Sequence, residues 1–145
     1  MANFEHPSAA ISSLIVVATS ADPKATGTSA HFSHPIRQLT VDDPQQYQIA
    51  LVDITFDHPG GTPVYVSCNL AALTRYGSGE ANILYRIGDH SAGTLNVQQT
   101  GSIVLYYPYG SYTTADNIEI GLTDSTGAYI AAGGPTTVTL SIRRV

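Results

Sequence analysis

The chain has few charged residues. Asp, Glu, Lys and Arg make up 12% of its 145 residues, against about 25% in an average soluble domain. Only six are Lys or Arg, and the net charge is −5, which argues against nucleic acid as a ligand because that affinity comes from basic contacts. The polar surface must come largely from Ser, Thr, Asn, Gln and Tyr. Such a surface suits a protein that packs against copies or partners, although a Thr-rich all-β domain without partners has the same composition.

Cysteine and clustered metal ligands are also scarce. The single cysteine, Cys68, excludes an intramolecular disulfide and a multi-cysteine metal site. It alternates with apolar residues, so we predict a buried small side chain rather than a reactive thiol. The five histidines are scattered. His31 and His34 lie three positions apart on a predicted strand, so they point to opposite faces and cannot bind one ion together. We expect no metal site.

Catalytic and nucleotide-binding signatures are missing from the sequence. Ser78 lies in YGSGE, which is not the G-x-S-x-G turn of hydrolases. The segment Asp124–Gly127 has too few ligands for a calcium loop and is predicted to be a hairpin turn. Neither a P-loop nor a dinucleotide fingerprint occurs. We therefore predict that the protein is not an enzyme and needs no cofactor.

Long apolar runs are absent as well. Residues 11–18, ISSLIVVA, form a much shorter run than the roughly twenty apolar residues that cross a bilayer. No positively charged region precedes them, as a secretory signal would require. We interpret this segment as a strand and expect no membrane insertion.

Alternation of apolar and polar residues is the main positive signal. Ile118, Ile120 and Leu122 are predicted to share one strand face, and a second strand follows with the apolar residues Val138, Leu140 and Ile142. No segment repeats apolar residues at helical spacing. Short strands at intervals of about 10–15 residues predict one antiparallel β-sandwich or barrel. We predict an all-β domain, an antiparallel β-sandwich over residues 11–145, after an extended N-terminal arm over residues 1–10.

Several local features refine this prediction. Pro35 cannot donate a ladder hydrogen bond, so its strand should lie at an edge or a bend. Residues 46–56 have apolar side chains on both faces, which predicts a central strand covered on both sides for part of its length. Residues 71–80 are predicted to be a loop. Residues 95–98 and 103–107 are predicted to form a hairpin about Thr100–Gly101.

The order of segments from residue 46 onward resembles a known family. It is similar to the vertex capsid proteins of the Polinton, adintovirus and virophage group, the penton-type single jelly rolls of the adenovirus–tectivirus lineage. The resemblance is carried by QYQIALVDITF, PVYVSCNL, ILYRI, YYP, DNIEIGLTDSTG and TVTLSIR, in that order. The sequence departs from the family at Ala115, where an aromatic residue is common, and at residues 131–134, where a Phe is usual.

The resemblance implies a single jelly roll of about eight strands and a structural role in the virion. It implies a homopentamer that fills the five-fold vertices of an icosahedral double-stranded DNA virus capsid, in contact with the trimeric major capsid protein. The protein would then be located in the capsid, after assembly inside the host cell. The N-terminal arm would reach beneath a neighbouring capsomer; a frayed terminus is the alternative.

Tyrosine-rich segments supply the candidate interface residues. The chain has nine tyrosines and no tryptophan, and Tyr offers rigid contact area with a polar tip. The candidates are Phe4, Tyr106, Tyr107, Tyr109 and Tyr112. For Tyr106 and Tyr107 the alternative is that they straddle a strand, one in the core and one outside.

Two other functions fit a β-sandwich of this kind. One is the trimeric head of a viral spike, and the other is a glycan- or receptor-binding module. Tyr76, Tyr109 and Tyr112 are available to stack on sugars in either case. The native mass separates these hypotheses, because the penton is expected to contain five copies, the spike head three and the isolated module one.

Overall fold

A computed structural model describes residues 13–76, 79–99, 104–110 and 113–145. The N-terminal arm predicted over residues 1–10 lies outside this part of the chain. The described residues form twelve strands and one short 3-10 turn, Pro44–Gln46. The strands are β1 (Ser13–Thr19), β2 (Thr26–Gly27), β3 (His31–Thr40), β4 (Tyr47–His58), β5 (Val64–Cys68), β6 (Thr74–Tyr76), β7 (Gly79–Ala81), β8 (Ile83–Ile87), β9 (Gly93–Gln98), β10 (Tyr107–Pro108), β11 (Thr114–Thr123) and β12 (Thr137–Arg144).

Ten of the strands build two antiparallel sheets, and β6 and β7 form a separate pair. Sheet A has the order β1-β12-β4-β10, with β9 also paired to β4, and sheet B has the order β2-β3-β11-β5-β8. Strands of the first half pair with strands of the second half in reverse order: β1 with β12, β3 with β11, β4 with β10 and β5 with β8. This is the pairing of one long hairpin rolled up on itself, the jelly-roll arrangement. The predicted antiparallel β-sandwich is confirmed.

The core lies between the two sheets and follows the predicted alternation. The inward residues Ile118, Ile120 and Leu122 of β11 are fully buried in the same hydrophobic cluster as Val138, Leu140 and Ile142 of β12. Because both long C-terminal strands place every second side chain in this cluster, their register is fixed by burial.

Strand β4 is the central strand of sheet A. It pairs with β12 on one side and with β9 and β10 on the other. The consecutive residues Ile49, Ala50 and Leu51 are all buried, so both faces of β4 are covered there. This confirms the predicted two-sided strand.

The predicted hairpin about Thr100–Gly101 is wrong. Strand β9 pairs with β4 from Asp53 to His58, and residues 104–106 lie outside any strand. The physical reason is the length of β4, which has 12 residues. Its second edge is long enough for β9 and β10 to lie one after the other along it. Thr100 and Gly101 themselves lie outside the described residues.

Two further local predictions have different outcomes. The segment over residues 71–80 is not only a loop, because β6 pairs with β7 in a short hairpin. Pro35 behaves as predicted: it pairs with Asn117 beside a register shift of β11, and no described strand pairs with its other side. Pro35 therefore lies at a position where the ladder needs no N–H donor.

Candidate interface surfaces

Tyr106 lies on the outer surface of sheet A. Its hydroxyl is 2.9 Å from Oγ of Ser141, and the guanidinium carbon of Arg143 is 3.5 Å from the centroid of its ring. Ser141 and Arg143 alternate with the core residues Leu140 and Ile142, so they point away from the core. The ring of Tyr106 therefore covers outward side chains of β12 and is half-buried by them.

Tyr107 and Tyr109 lie on the inner side. Tyr107 is half-buried and packs against the hydrophobic core, opposite Ile49 in the ladder. Tyr109 is only 5% exposed, and its ring centroid is 6.3 Å from that of Tyr47. This burial leaves Tyr109 little surface to offer a partner, and its assignment as an interface or sugar-stacking residue stays a prediction. Tyr106 and Tyr107 face opposite sides of sheet A, which agrees with the alternative that one of them lies against the core and the other outside.

The remaining candidates cannot be placed. Phe4 and Tyr112 lie outside the described residues, and so does the side chain of Tyr76. The tyrosine cluster predicted from the sequence is therefore represented in the structure by Tyr106 at the surface and by Tyr107 and Tyr109 against the core.

Strands β1 and β12 form an outer surface of aliphatic and hydroxyl side chains, bordered by Arg143 opposite Ser13 and by Asp53 opposite Thr139, which we call the β1–β12 face. Its residues alternate with core residues along the two paired strands. Ile15 is 61% and Val17 is 52% exposed. A partner that covers this surface buries two aliphatic side chains and a row of hydroxyls, and the charged groups it meets are those at the border. The β1–β12 face consists of Ser13, Ile15, Val17, Thr19, Thr137, Thr139 and Ser141.

A second exposed cluster lies on the outer side of sheet B, and we call it the Tyr129 cluster. The rings of Tyr129 and His31 stack with centroids 4.4 Å apart and planes within 10° of each other. Nε2 of His31 is 3.2 Å from Oε1 of Glu119. Tyr129 is 54% exposed although it is held in this stack. It therefore presents a fixed aromatic surface to solvent.

Tyr129 is not among the residues predicted from the sequence. The side chain of Asp124 accepts hydrogen bonds from the backbone N–H groups of Thr126 and Ala128 and from the Thr126 hydroxyl. The Thr126 side-chain hydrogen bond also holds the pKa of Asp124 below its usual value. This turn returns the chain so that Tyr129 bridges back to Thr123. Alternation then places Tyr129 outside and Ile130 inside, which is the signal that was available.

Gly121 makes room for the Tyr129 cluster. A Cβ atom at Gly121 would lie 2.6 Å from Oγ of Ser67 and 3.3 Å from the Tyr129 ring. We expect Gly121→Ala to lower the free energy of unfolding by about 1–3 kcal/mol, because Ser67 and Tyr129 must both shift. The measurement is urea denaturation. Gly88→Ala is the control, because nothing lies within 4 Å of a Cβ there, and equal losses in the two variants would contradict the crowding.

An open groove of about 1020 Å³ lies beside Tyr109, near the 3-10 turn. Asn69, Asn82 and Glu119 supply polar groups to it, and Leu73 is an exposed apolar residue on its wall. The Nδ2 group of Asn69 donates to the carbonyl of Asn117, and its Oδ1 accepts from the backbone N–H of Glu119. Nδ2 of Asn82 donates to the carbonyl of Ala71. Both amides therefore support the backbone of the groove wall.

The titratable groups of the described residues do not gather in one place. No group of three or more His, Cys, Asp or Glu side chains that could hold a metal ion occurs among them. His34 lies with Nδ1 2.9 Å from the backbone nitrogen of Thr19, away from the stack of His31 on Tyr129. Within the same part of the chain, no helix has the length and apolar character needed to cross a membrane.

No protein-family model matches the chain, and no curated protein matches it. The function is therefore argued from the jelly roll and from the surfaces described above.

Proposed function

We propose that this chain is a structural virion protein, a penton that forms homopentamers at the five-fold vertices of an icosahedral capsid and contacts the major capsid protein there. The observation that carries the proposal is the presence of two different contact surfaces on opposite sheets: the β1–β12 face on sheet A and the Tyr129 cluster on sheet B. A closed ring is built from heterologous contacts, in which each subunit offers one surface to one neighbour and a different surface to the other.

The chemistry of the two surfaces supports repeated association. The β1–β12 face carries aliphatic and hydroxyl side chains, so the desolvation penalty of charged groups is confined to Arg143 and Asp53 at its border. The Tyr129 cluster offers an aromatic ring that the stack on His31 already holds in place. Less side-chain entropy is lost when such a ring is buried in an interface.

A jelly roll does not by itself imply a capsid role, because lectin domains share this architecture. The groove beside Tyr109 favours a second candidate, a glycan- or receptor-binding module or the trimeric head of a spike. We prefer the penton because the amides of Asn69 and Asn82 are engaged with backbone groups. A glycan-array screen tests the second candidate, and sugar binding by a monomer or trimer would replace the penton.

The first test of the penton is the native mass of the purified protein by light scattering at micromolar concentration. We expect five copies or a multiple of five. Thr139→Lys on the β1–β12 face and Tyr129→Lys in the Tyr129 cluster should each raise the concentration needed for assembly at least about tenfold, because the added long side chain and its charge must be desolvated in the contact. Ser91→Lys, on an exposed loop, is the control and should assemble like the wild type.

A mixing experiment tests whether the two surfaces meet each other. The Thr139→Lys variant keeps an intact Tyr129 cluster, and the Tyr129→Lys variant keeps an intact β1–β12 face. An equal mixture should therefore form complexes that join one copy of each variant but no rings, since one productive ring contact remains. A wild-type trimer or monomer, or a mixture in which the two variants do not join each other, would contradict the proposal.

A further inference from the structure

Strand β1 leaves an open edge on sheet A. It pairs with β12 without a register shift from Ser13 to Thr19, and no described strand pairs with its other side. Its sequence, SLIVVAT, contains no charge and no proline. Natural proteins usually protect edge strands with Lys, Pro, a bulge or a covering segment, because an open edge is a template for another strand. Strand β1 has none of the first three devices.

The contact between His34 and Thr19 shows which backbone groups point to this open edge. Nδ1 of His34 lies 2.9 Å from N and 3.3 Å from O of Thr19, whereas the N–H of Ser20 donates to Thr136, which precedes β12. The polar backbone groups of Thr19 therefore point away from β12. In an antiparallel ladder this direction repeats every second residue. The N–H and C=O groups of Val17, Ile15 and Ser13 thus face the open edge as well.

We propose that this edge pairs antiparallel with β1 of a second copy of the chain, across a two-fold axis at Ile15. In this register Ile15 lies opposite Ile15 of the second copy, Ser13 opposite Val17, and Leu14 opposite Val16. The three pairs formed by Ser13, Ile15 and Val17 exchange about six backbone hydrogen bonds. Sheet A then continues from one copy into the other.

The apolar and uncharged side chains along the edge favour a second copy of β1 as the strand that pairs there. Leu14 and Val16 extend the core to the edge on the inner face, and Ile15 and Val17 are exposed on the outer face. The added strand must therefore be apolar on both faces and uncharged, and β1 itself meets this requirement. Every cross-strand side-chain pair in the proposed register is free of like charges. An isologous two-fold contact is also the commonest kind in soluble oligomers.

The other open edges of the described residues fit less well. Strand β8 carries Arg86, β2 and β10 have two residues each, and β9 (GTLNVQ) has exposed polar side chains on one of its faces. The pairing uses backbone groups in the plane of sheet A, whereas the ring contact uses side chains perpendicular to it. Ile15 and Val17 belong to both contacts, so the contacts are separated by variants at Thr139 and Tyr129, which lie outside β1. Two rings joined through their β1 strands would contain twice as many copies as one ring.

Cysteine cross-linking tests the register. Residues opposite each other in a hydrogen-bonded pair have Cα atoms about 5.5 Å apart, within the range of about 4.4–6.8 Å for a disulfide. Ile15→Cys should therefore give a disulfide-linked dimer after mild oxidation, at least about tenfold more than Val17→Cys, whose two copies lie roughly 14 Å apart along the strands. Cys68 is buried and is the same in both variants. Equal cross-linking of both variants, or none, would overturn the proposal.

A proline variant tests the hydrogen bonds. The N–H of Ile15 points to the open edge, so Ile15→Pro removes a donor to the second copy and keeps the bonds to β12. We expect sedimentation to show loss of the two-fold contact in Ile15→Pro and its retention in Ile15→Thr, which keeps the N–H group. A contact that survives in Ile15→Pro, or its absence in the wild type, would overturn the pairing. Thr139→Lys is designed to break the ring and should leave the two-fold contact intact. The two proposals can therefore fail separately.

Discussion

Raising the pH from 9 to 12 should remove about 4 kcal/mol of stability through one side chain, Cys68. Burial raises the pKa of its thiol from the ordinary value of 9.0 to about 12. Between these two values the unfolded chain has released the thiol proton and the folded chain still holds it. The unfolded state therefore binds fewer protons, and the free energy of unfolding falls by about 1.4 kcal/mol per pH unit. The contribution is complete below pH 9 and is lost as the pH rises to 12.

The measurement compares wild type with Cys68→Val by urea denaturation at several pH values. Valine has a similar size, and it suits the strand position of Cys68 in β5. Tyrosines also titrate in this range, but they are common to both proteins, so their effect cancels in the difference. We expect the two stability curves to run parallel below pH 8 and to separate by about 4 kcal/mol at pH 12. Curves that stay parallel throughout would contradict the raised pKa of the thiol.

Alternation in the sequence was sufficient to predict the faces of the long strands. The core residues of β11 and β12 recur at every second position because alternate side chains of a strand point to the same face of the sheet. The strand order does not follow from such local patterns. Strand β1 pairs with residues 137–143 at the far end of the chain, and only the packing of the whole domain selects that partner. Periodicity therefore predicted a sandwich or barrel, and the family resemblance was needed to predict a jelly roll.

The burial of Tyr109 and the pairing of β9 were not predicted, and both have a physical cause in the fold. Tyr109 belongs to a segment that looked like a surface loop, but its N–H donates to the carbonyl of Tyr47 and it bridges to Ala71. These bonds hold its ring inward, and they join residues that are distant in sequence. The hairpin at residues 95–107 was predicted because neighbouring segments usually pair. Instead, β9 pairs with the free edge of β4.

Replacing Leu140 by alanine should lower the free energy of unfolding by about 2–5 kcal/mol. Leu140 is fully buried between the two sheets, and β12 lies between β1 and β4 in sheet A. Truncation removes a buried side chain and leaves a cavity that two paired neighbouring strands prevent from closing. Urea denaturation at pH 7 measures the loss, which should appear as a lower midpoint with little change in the denaturant dependence.

The neighbouring residue provides the matched control. Thr139 lies one position before Leu140 on the same strand but on the outer face, so Thr139→Ala should change the free energy of unfolding by no more than about 0.5 kcal/mol. The contrast between the two variants tests the register of β12 directly, because a slip of one residue would exchange the faces of the strand. If Thr139→Ala were the more damaging change, the assignment of the β1–β12 face to the outer surface would be wrong. The ring contact proposed on that face would then have no surface to use.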